Sequence, residues 1–262
     1  MAAEAPVAAP ALAPDTTSLT LGEVRVVAPV MAPLSSRQVA TSVDVLPASQ
    51  VQSRSVDQSW ALLQAVPGVL ITEFRQGTTS GKLSFRGFNG EGNVNAVKLL
   101  IDGIPSNTND GNMPYLDMVS PLEIEQIEVV RGTNDPRWGL HAIAGHVQLL
   151  TRQGGNDGDA RVTVGSFGTR ELQLAKGIEG DSGWTQNYFV GYRASDGYRD
   201  HSDLGKLSLS GKWFFTPAQG HWTAGVTARV YQADAQEAGY LTRAQRSDDP
   251  TQSPSWNGSD DD

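Results

Sequence analysis

The residues of this chain best suited to chemistry lie between positions 102 and 146. Glu123, Glu125 and Glu128 cluster on one strand-like stretch, Gly139 and Gly145 bracket a run of small residues after it, and His141 and His146 fall in or beside that run. A glycine-bracketed loop after a strand can cradle phosphate through its backbone N–H groups. The phosphate-binding pattern, however, needs Gly-x4-Gly-Lys-Ser/Thr. Here Gly145 is followed by His146, no lysine lies nearby, and the Gly-x-Gly-x-x-Gly spacing is also absent. His141 and His146 stand five apart, a poor spacing for one helix or strand face, and His201 and His221 fall in or beside loops. That pattern points to core or surface histidines and to no metal site. The three glutamates read as surface charge, and Asp102-Gly103 reads as a turn following a strand. No Ser/His/Asp set sits on an elbow motif. The residues argue for no catalysis and imply no cofactor.

The whole chain narrows the choice further. Its 262 residues carry 20 Lys+Arg against 29 Asp+Glu, a net charge of −9. Nucleic-acid surfaces need clustered positive charge, so no nucleic-acid partner is expected. Cysteine is absent, which removes disulfides, thiolate metal sites and cysteine nucleophiles. A membrane-crossing helix needs about 20 apolar residues, and every apolar run here is broken sooner. The stretch MAAEAPVAAPALAPDTTS has neither a basic n-region nor an apolar h-region, and reads as an extended, mobile Ala/Pro arm.

Three stretches emerge. Residues 1–32 are that arm with a short β-prone island, GEVRVVAPVMA (22–32). Residues 33–155 form an α+β unit. Ser55 followed by Gln58 suggests a capping box, with Val56, Trp60 and Leu63 on one helix face and Pro67-Gly68 as the stop. Strands are expected at 69–74, 82–88, 96–103, 124–132 and 145–152, with a helical turn from Pro121 leading into the fourth. Residues 156–262 change to a period of two. Val162 and Val164 alternate with Arg161 and Thr163, and Leu207, Leu209, Trp213 and Phe215 alternate with Lys206, Ser208, Ser210 and Lys212. Ala224, Val226, Ala228 and Val230 likewise alternate with Thr227 and Arg229. Five strands of about ten residues with one apolar and one wet face match a transmembrane β-barrel wall. Trp184, Trp213, Phe215 and Trp222 gather beside two short turns, as an interfacial aromatic girdle requires. A soluble β-sandwich with an apolar inner face has the same alternation.

The ordered series KLSFRGF, VKLLIDGIPSN, LDMVSPLEIEQIEVVRG and RWGLHAIAGHVQLLTR resembles the plug domain of TonB-dependent outer-membrane receptors, over about 33–155. Trp138 and Ala144-Gly145-His146 depart from the Tyr and Gly-Gly-Val common there. The resemblance implies an α+β plug followed by antiparallel strands of an incomplete transmembrane β-barrel, in the outer membrane of a Gram-negative cell with the plug facing the periplasm. It implies that Arg86 and Arg131 latch the plug to glutamates of the barrel wall. It identifies Glu23, Val24, Arg25, Val26, Val27 and Ala28 as a TonB box, which adds as a strand to the periplasmic TonB protein. It turns three plug loops toward cargo: Arg75 and Gln76; Asn89, Glu91 and Asn93; Asn107, Asn109 and Asn112. The implied function is energised uptake of a scarce ligand, foremost a ferric siderophore, with TonB and outer-membrane lipid as partners. A plugged barrel of this type has about 22 strands. Residues 156–262 supply about five, so the chain is expected to be a fragment or a truncated product. The alternative is a barrel-less plug that binds TonB or ligand without transport.

Overall fold

The computed structural model describes residues 42–56, 58–73, 81–85, 87–88, 96–108, 114–132, 139 and 142–254. The TonB-box residues, Arg86, and Arg75, Gln76, Asn89, Glu91, Asn93, Asn109 and Asn112 lie outside that set.

A mixed sheet is built from β1 (Ser42–Pro47), β4 (Val97–Ile101), β5 (Ile104–Pro105), β6 (Ile124–Arg131) and β7 (Gly145–Thr151), in the order β1-β6-β7-β4-β5. β4 and β7 run parallel at its centre, and every residue of both is buried. Strands covered on both faces read as continuous apolar runs, which is why VKLLI and GHVQLLT show little alternation. A hairpin of β2 (Val69–Glu73) and β3 (Gly81–Phe85) packs beside it. One sheet face carries Leu99, Ile101, Ile127, Val129, Val147 and Leu149, joined in a single core with Trp60, Leu62 and Leu63.

The five expected strands are present within one to three residues of their expected ends. The helical turn expected from Pro121 is the 3₁₀ turn Pro121–Glu123, and β6 bulges just after it, between Ile124 and Gln126. The helical segment differs from expectation. Ser59–Ala65 is a 3₁₀ helix whose N-cap is Gln58, with no side-chain cap, so the Ser55–Gln58 box is not used. Its first N–H groups are served by tertiary contacts instead: the Ser59 N–H donates to Asp117 Oδ1 at 2.7 Å. A distant carboxylate thus takes the place of a local cap. A short helix α1 (Ala48–Gln52) precedes it, with no strong sequence signal.

After a linker at 152–157, an antiparallel meander runs through β8 (Gly158–Val164), β9 (Arg170–Glu179), β10 (Trp184–Ser195), β11 (Leu204–Phe215) and β12 (Ala224–Ala235). Its outer face is exposed and apolar: Val162, Val164, Leu172, Leu174, Val190, Leu209, Val226 and Val230. Trp184, Phe215 and Trp222 stack at one end, with ring centroids 5.3 and 5.7 Å apart, as the girdle reading expects. The connections 196–203 and 216–223 are of equal length. The segment after β12 contains helix α2 (Arg243–Asp248), with a Thr242–Gln245 capping box. Arg199 holds that segment by donating to the carbonyls of Ala238, Gly239 and Gln252.

Candidate functional site

The chemistry in this molecule gathers where the mixed sheet and its two 3₁₀ turns, Pro114–Met118 and Pro121–Glu123, meet the inner face of the meander. Strand periodicity puts Gln173, Ala175, Asn187, Phe189, Gly191, Arg193, Lys206, Ser208, Ser210, Lys212 and Arg229 on that face.

Three carboxylates of the first unit each meet a cation of the meander. Glu123 takes both ends of the Arg229 guanidinium, at 2.5 Å from Nη2 and 2.8 Å from Nη1, and accepts from Ser210 Oγ at 2.7 Å. This fork is the strongest geometry available to such a pair. Asp102 Oδ2 lies 2.8 Å from Lys212 Nζ, which also donates to the Thr151 carbonyl at 3.0 Å. Asp117 pairs with Lys206. Burial raises the Asp117 carboxyl above the usual aspartate range, and the Lys206 charge works against that rise. A fourth pair, Glu171 with Arg193 at 3.5 Å, lies within the meander itself. Glu123 is 1% exposed and Lys212 2%, so these are interior pairs.

Local structure aims each acid. The Asp102-Gly103 turn, with φ of 51° and 82°, closes the β4–β5 hairpin. In that turn the Asp102 carboxylate accepts from the Thr151 N–H and hydroxyl, both at 2.8 Å, which fixes it toward Lys212. Ser120-Pro121 starts a 3₁₀ turn that buries Glu123. A small apolar contact of Leu122 with Ala175 and Phe189 sits among the charges. Gly191 makes room: a Cβ there would stand 3.2 Å from Ser120 Oγ and 2.9 Å from the Phe189 ring. A cavity of about 30 Å³, lined by Ser59, Asp117, Glu171, Arg193, Lys206 and Tyr231, remains in the seam. That volume suits one water molecule.

One expectation changes here. Glu123, read as surface charge, is buried and doubly bonded to Arg229. Arg131 pairs with Asp44 of β1 and donates to the Pro67 carbonyl, so among the described residues it ties an edge strand and a turn to β6. Among the described residues these charged contacts set acids of the first unit against bases of the meander. Asn107 uses its amide on β4, accepting from the Leu99 N–H at 2.8 Å and donating to the Val97 carbonyl at 3.1 Å. It serves the strand. No cluster of three metal-binding side chains occurs among the described residues.

Comparison with known proteins bears on this arrangement. Residues 35–146 match the family model of the TonB-dependent receptor plug domain. The vitamin B12 transporter BtuB of Vibrio vulnificus strain CMCP6 is 25% identical over 129 residues, 49% of this chain and 20% of that protein. The chain thus spans about a fifth of the length of that relative. The crystal structure of the unliganded ferric citrate transporter FecA superposes with a TM-score of 0.67 at 24% identity, over 82% of this chain and 34% of that one. The ferric yersiniabactin uptake receptor FyuA from Yersinia pestis gives 0.63 at 18%, over 77% and 33%.

Proposed function

Starting from a chain that carries the plug and the first wall strands of a TonB-dependent outer-membrane receptor, we propose that it works in energised uptake of a scarce ligand, with ferric siderophores as the cargo class. The observation that carries this reading is the seam. Among the described residues, ion pairs seat the plug on the barrel wall, beside one small apolar contact of Leu122 with Ala175 and Phe189. A hydrophobic seam would fuse two bodies, whereas a polar one resembles interfaces that separate in use. Each buried pair roughly balances its own desolvation, so it fixes register and adds little net adhesion. That suits a plug held in place and later displaced.

On this reading, Glu23–Ala28 engage the TonB protein by strand addition, a mode that relies on main-chain hydrogen bonds and a free arm. The loops with Arg75, Gln76, Asn89, Glu91, Asn93, Asn109 and Asn112 present polar groups to cargo. FecA and FyuA are named for ferric citrate and ferric yersiniabactin, and BtuB for vitamin B12. These names bracket the range from which our cargo class is taken.

The test is uptake of radiolabelled ferric siderophores by iron-starved cells expressing the gene. Val26→Pro removes one strand-forming N–H from the proposed box. We expect uptake in the parent, its loss in Val26→Pro, and unchanged surface binding. Binding with no uptake in the parent overturns the reading in favour of a binding module, and uptake that survives Val26→Pro overturns Glu23–Ala28 as the segment that engages TonB.

A further inference from the structure

We propose that the inner face of β10–β12 is an anion-binding track, exposed when the plug's carboxylates leave it, and that the cargo it takes is a compact polyanion. This rests on the uptake reading above. The inner positions of these three strands carry Arg193, Lys206, Lys212 and Arg229 and not one carboxylate. Among the ion pairs of the described residues, Arg193 meets a carboxylate of the wall, Glu171 of β9. The described carboxylates that pair with the other three cations, Asp117, Asp102 and Glu123, come from the plug.

The cations are spaced along the strand direction. Lys206 and Arg193 face each other in the β10–β11 register, Arg229 stands opposite Ser210, and Lys212 follows two residues further on. At about 3.3 Å per residue, Lys206 and Lys212 are some 20 Å apart along β11, a large part of a bilayer core about 30 Å thick. Ser208 and Ser210 hydroxyls lie between them. Withdrawing a counter-ion from a buried cation is costly, so displacement of the plug favours any anion able to replace it. Arg229 offers a planar fork suited to carboxylate, and the lysines offer point charges. Asp196, Asp200 and Asp203 lie in the β10–β11 loop, outside these inner positions. Attraction of an anion is thus confined to the wall.

Two experiments decide this. In the purified chain, Asp102→Asn with Glu123→Gln removes two plug carboxylates at nearly constant shape. We expect citrate binding, read by calorimetry, to tighten roughly tenfold, as one charge-assisted contact implies, and to be lost when Lys212→Gln and Arg229→Gln are added. No gain in a variant whose circular dichroism matches the parent overturns the track. In cells, Lys212→Gln alone is compared for an anionic ferric citrate and a neutral ferric trihydroxamate. A roughly tenfold fall in the anionic-to-neutral uptake ratio supports the track, whereas equal losses for both probes reduce Lys212 to a structural part and overturn it. Uptake of neither probe by the parent overturns the transport reading, and the calorimetric result then stands alone for the track.

Discussion

The core under the mixed sheet joins Leu63, Leu99, Ile127 and Val147, each fully buried. The seam, a few residues away, buries Glu123 and Lys212 almost as completely. Both surfaces exclude water, yet one is hydrocarbon and the other ionised. Apolar burial is worth about 25 cal/mol per Å² whatever the partner's orientation. An ion pair is worth its desolvation cost only at one geometry. The core therefore favours permanence, and the seam favours a single register that can be given up. The meander repeats the contrast across its own thickness, with Val190, Leu209 and Val230 facing outward and Arg193, Lys206 and Arg229 inward.

The contrast breaks most sharply if one charge loses its partner. Arg229→Met leaves Glu123 buried without its fork and should cost about 3–5 kcal/mol in urea unfolding. Adding Glu123→Leu should return most of that loss, because the orphan charge is gone. If the single change costs nothing, the pair is not shut from water. In the core, Leu99→Ala should cost about 2–5 kcal/mol, and no second substitution in the seam should restore it. A rescue there would mean that the two surfaces are one cooperative body.

A smaller effect concerns Glu128, half-buried on β6 between Val45 of β1 and Gln148 of β7. Burial raises its carboxyl above the usual glutamate range. A raised folded pKa means that the fold binds the proton more tightly than the unfolded chain. Stability from this group is present at low pH and is lost as pH rises through the folded value. Glu128→Gln should match the parent in acid and exceed it near neutrality, read as unfolding midpoints across pH 4–8. A gap that widens in acid contradicts this.

Much of the fold was legible because strand periodicity is local. The alternation in KLSLSGKWFF and AGVTARVYQ reported both faces of β11 and β12, and Pro121 reported the helical turn ahead of β6, whereas the bulge in β6 was not read. The seam was not legible, because its pairs join residues far apart in the chain: Glu123 with Arg229, Asp117 with Lys206. In the sequence Glu123 has two glutamates near it and looks like solvated charge. The inner cations Lys206, Lys212 and Arg229 were visible as the wet side of the meander, and that is also how a water-filled lumen would look. The Ser55–Gln58 box failed for a similar reason. Asp117 reaches Ser59 from 58 positions away and supplies the cap that local residues were expected to provide.

The central claim is that the plug rests on the wall through this seam and must leave it for uptake. The chain has no cysteine; a Cβ at position 191 would lie 3.2 Å from Ser120 Oγ and 2.9 Å from the Phe189 ring, so a cysteine there comes within disulfide reach of Ser120→Cys once that ring shifts. The most direct measurement is energised uptake by the receptor bearing Ser120→Cys and Gly191→Cys, before and after reduction. The account predicts that the disulfide forms under oxidation, that uptake stops, and that reductant restores it while either single variant transports throughout. Uptake at the parental rate with the disulfide shown intact would contradict the account, because the seam could then stay closed while cargo passes.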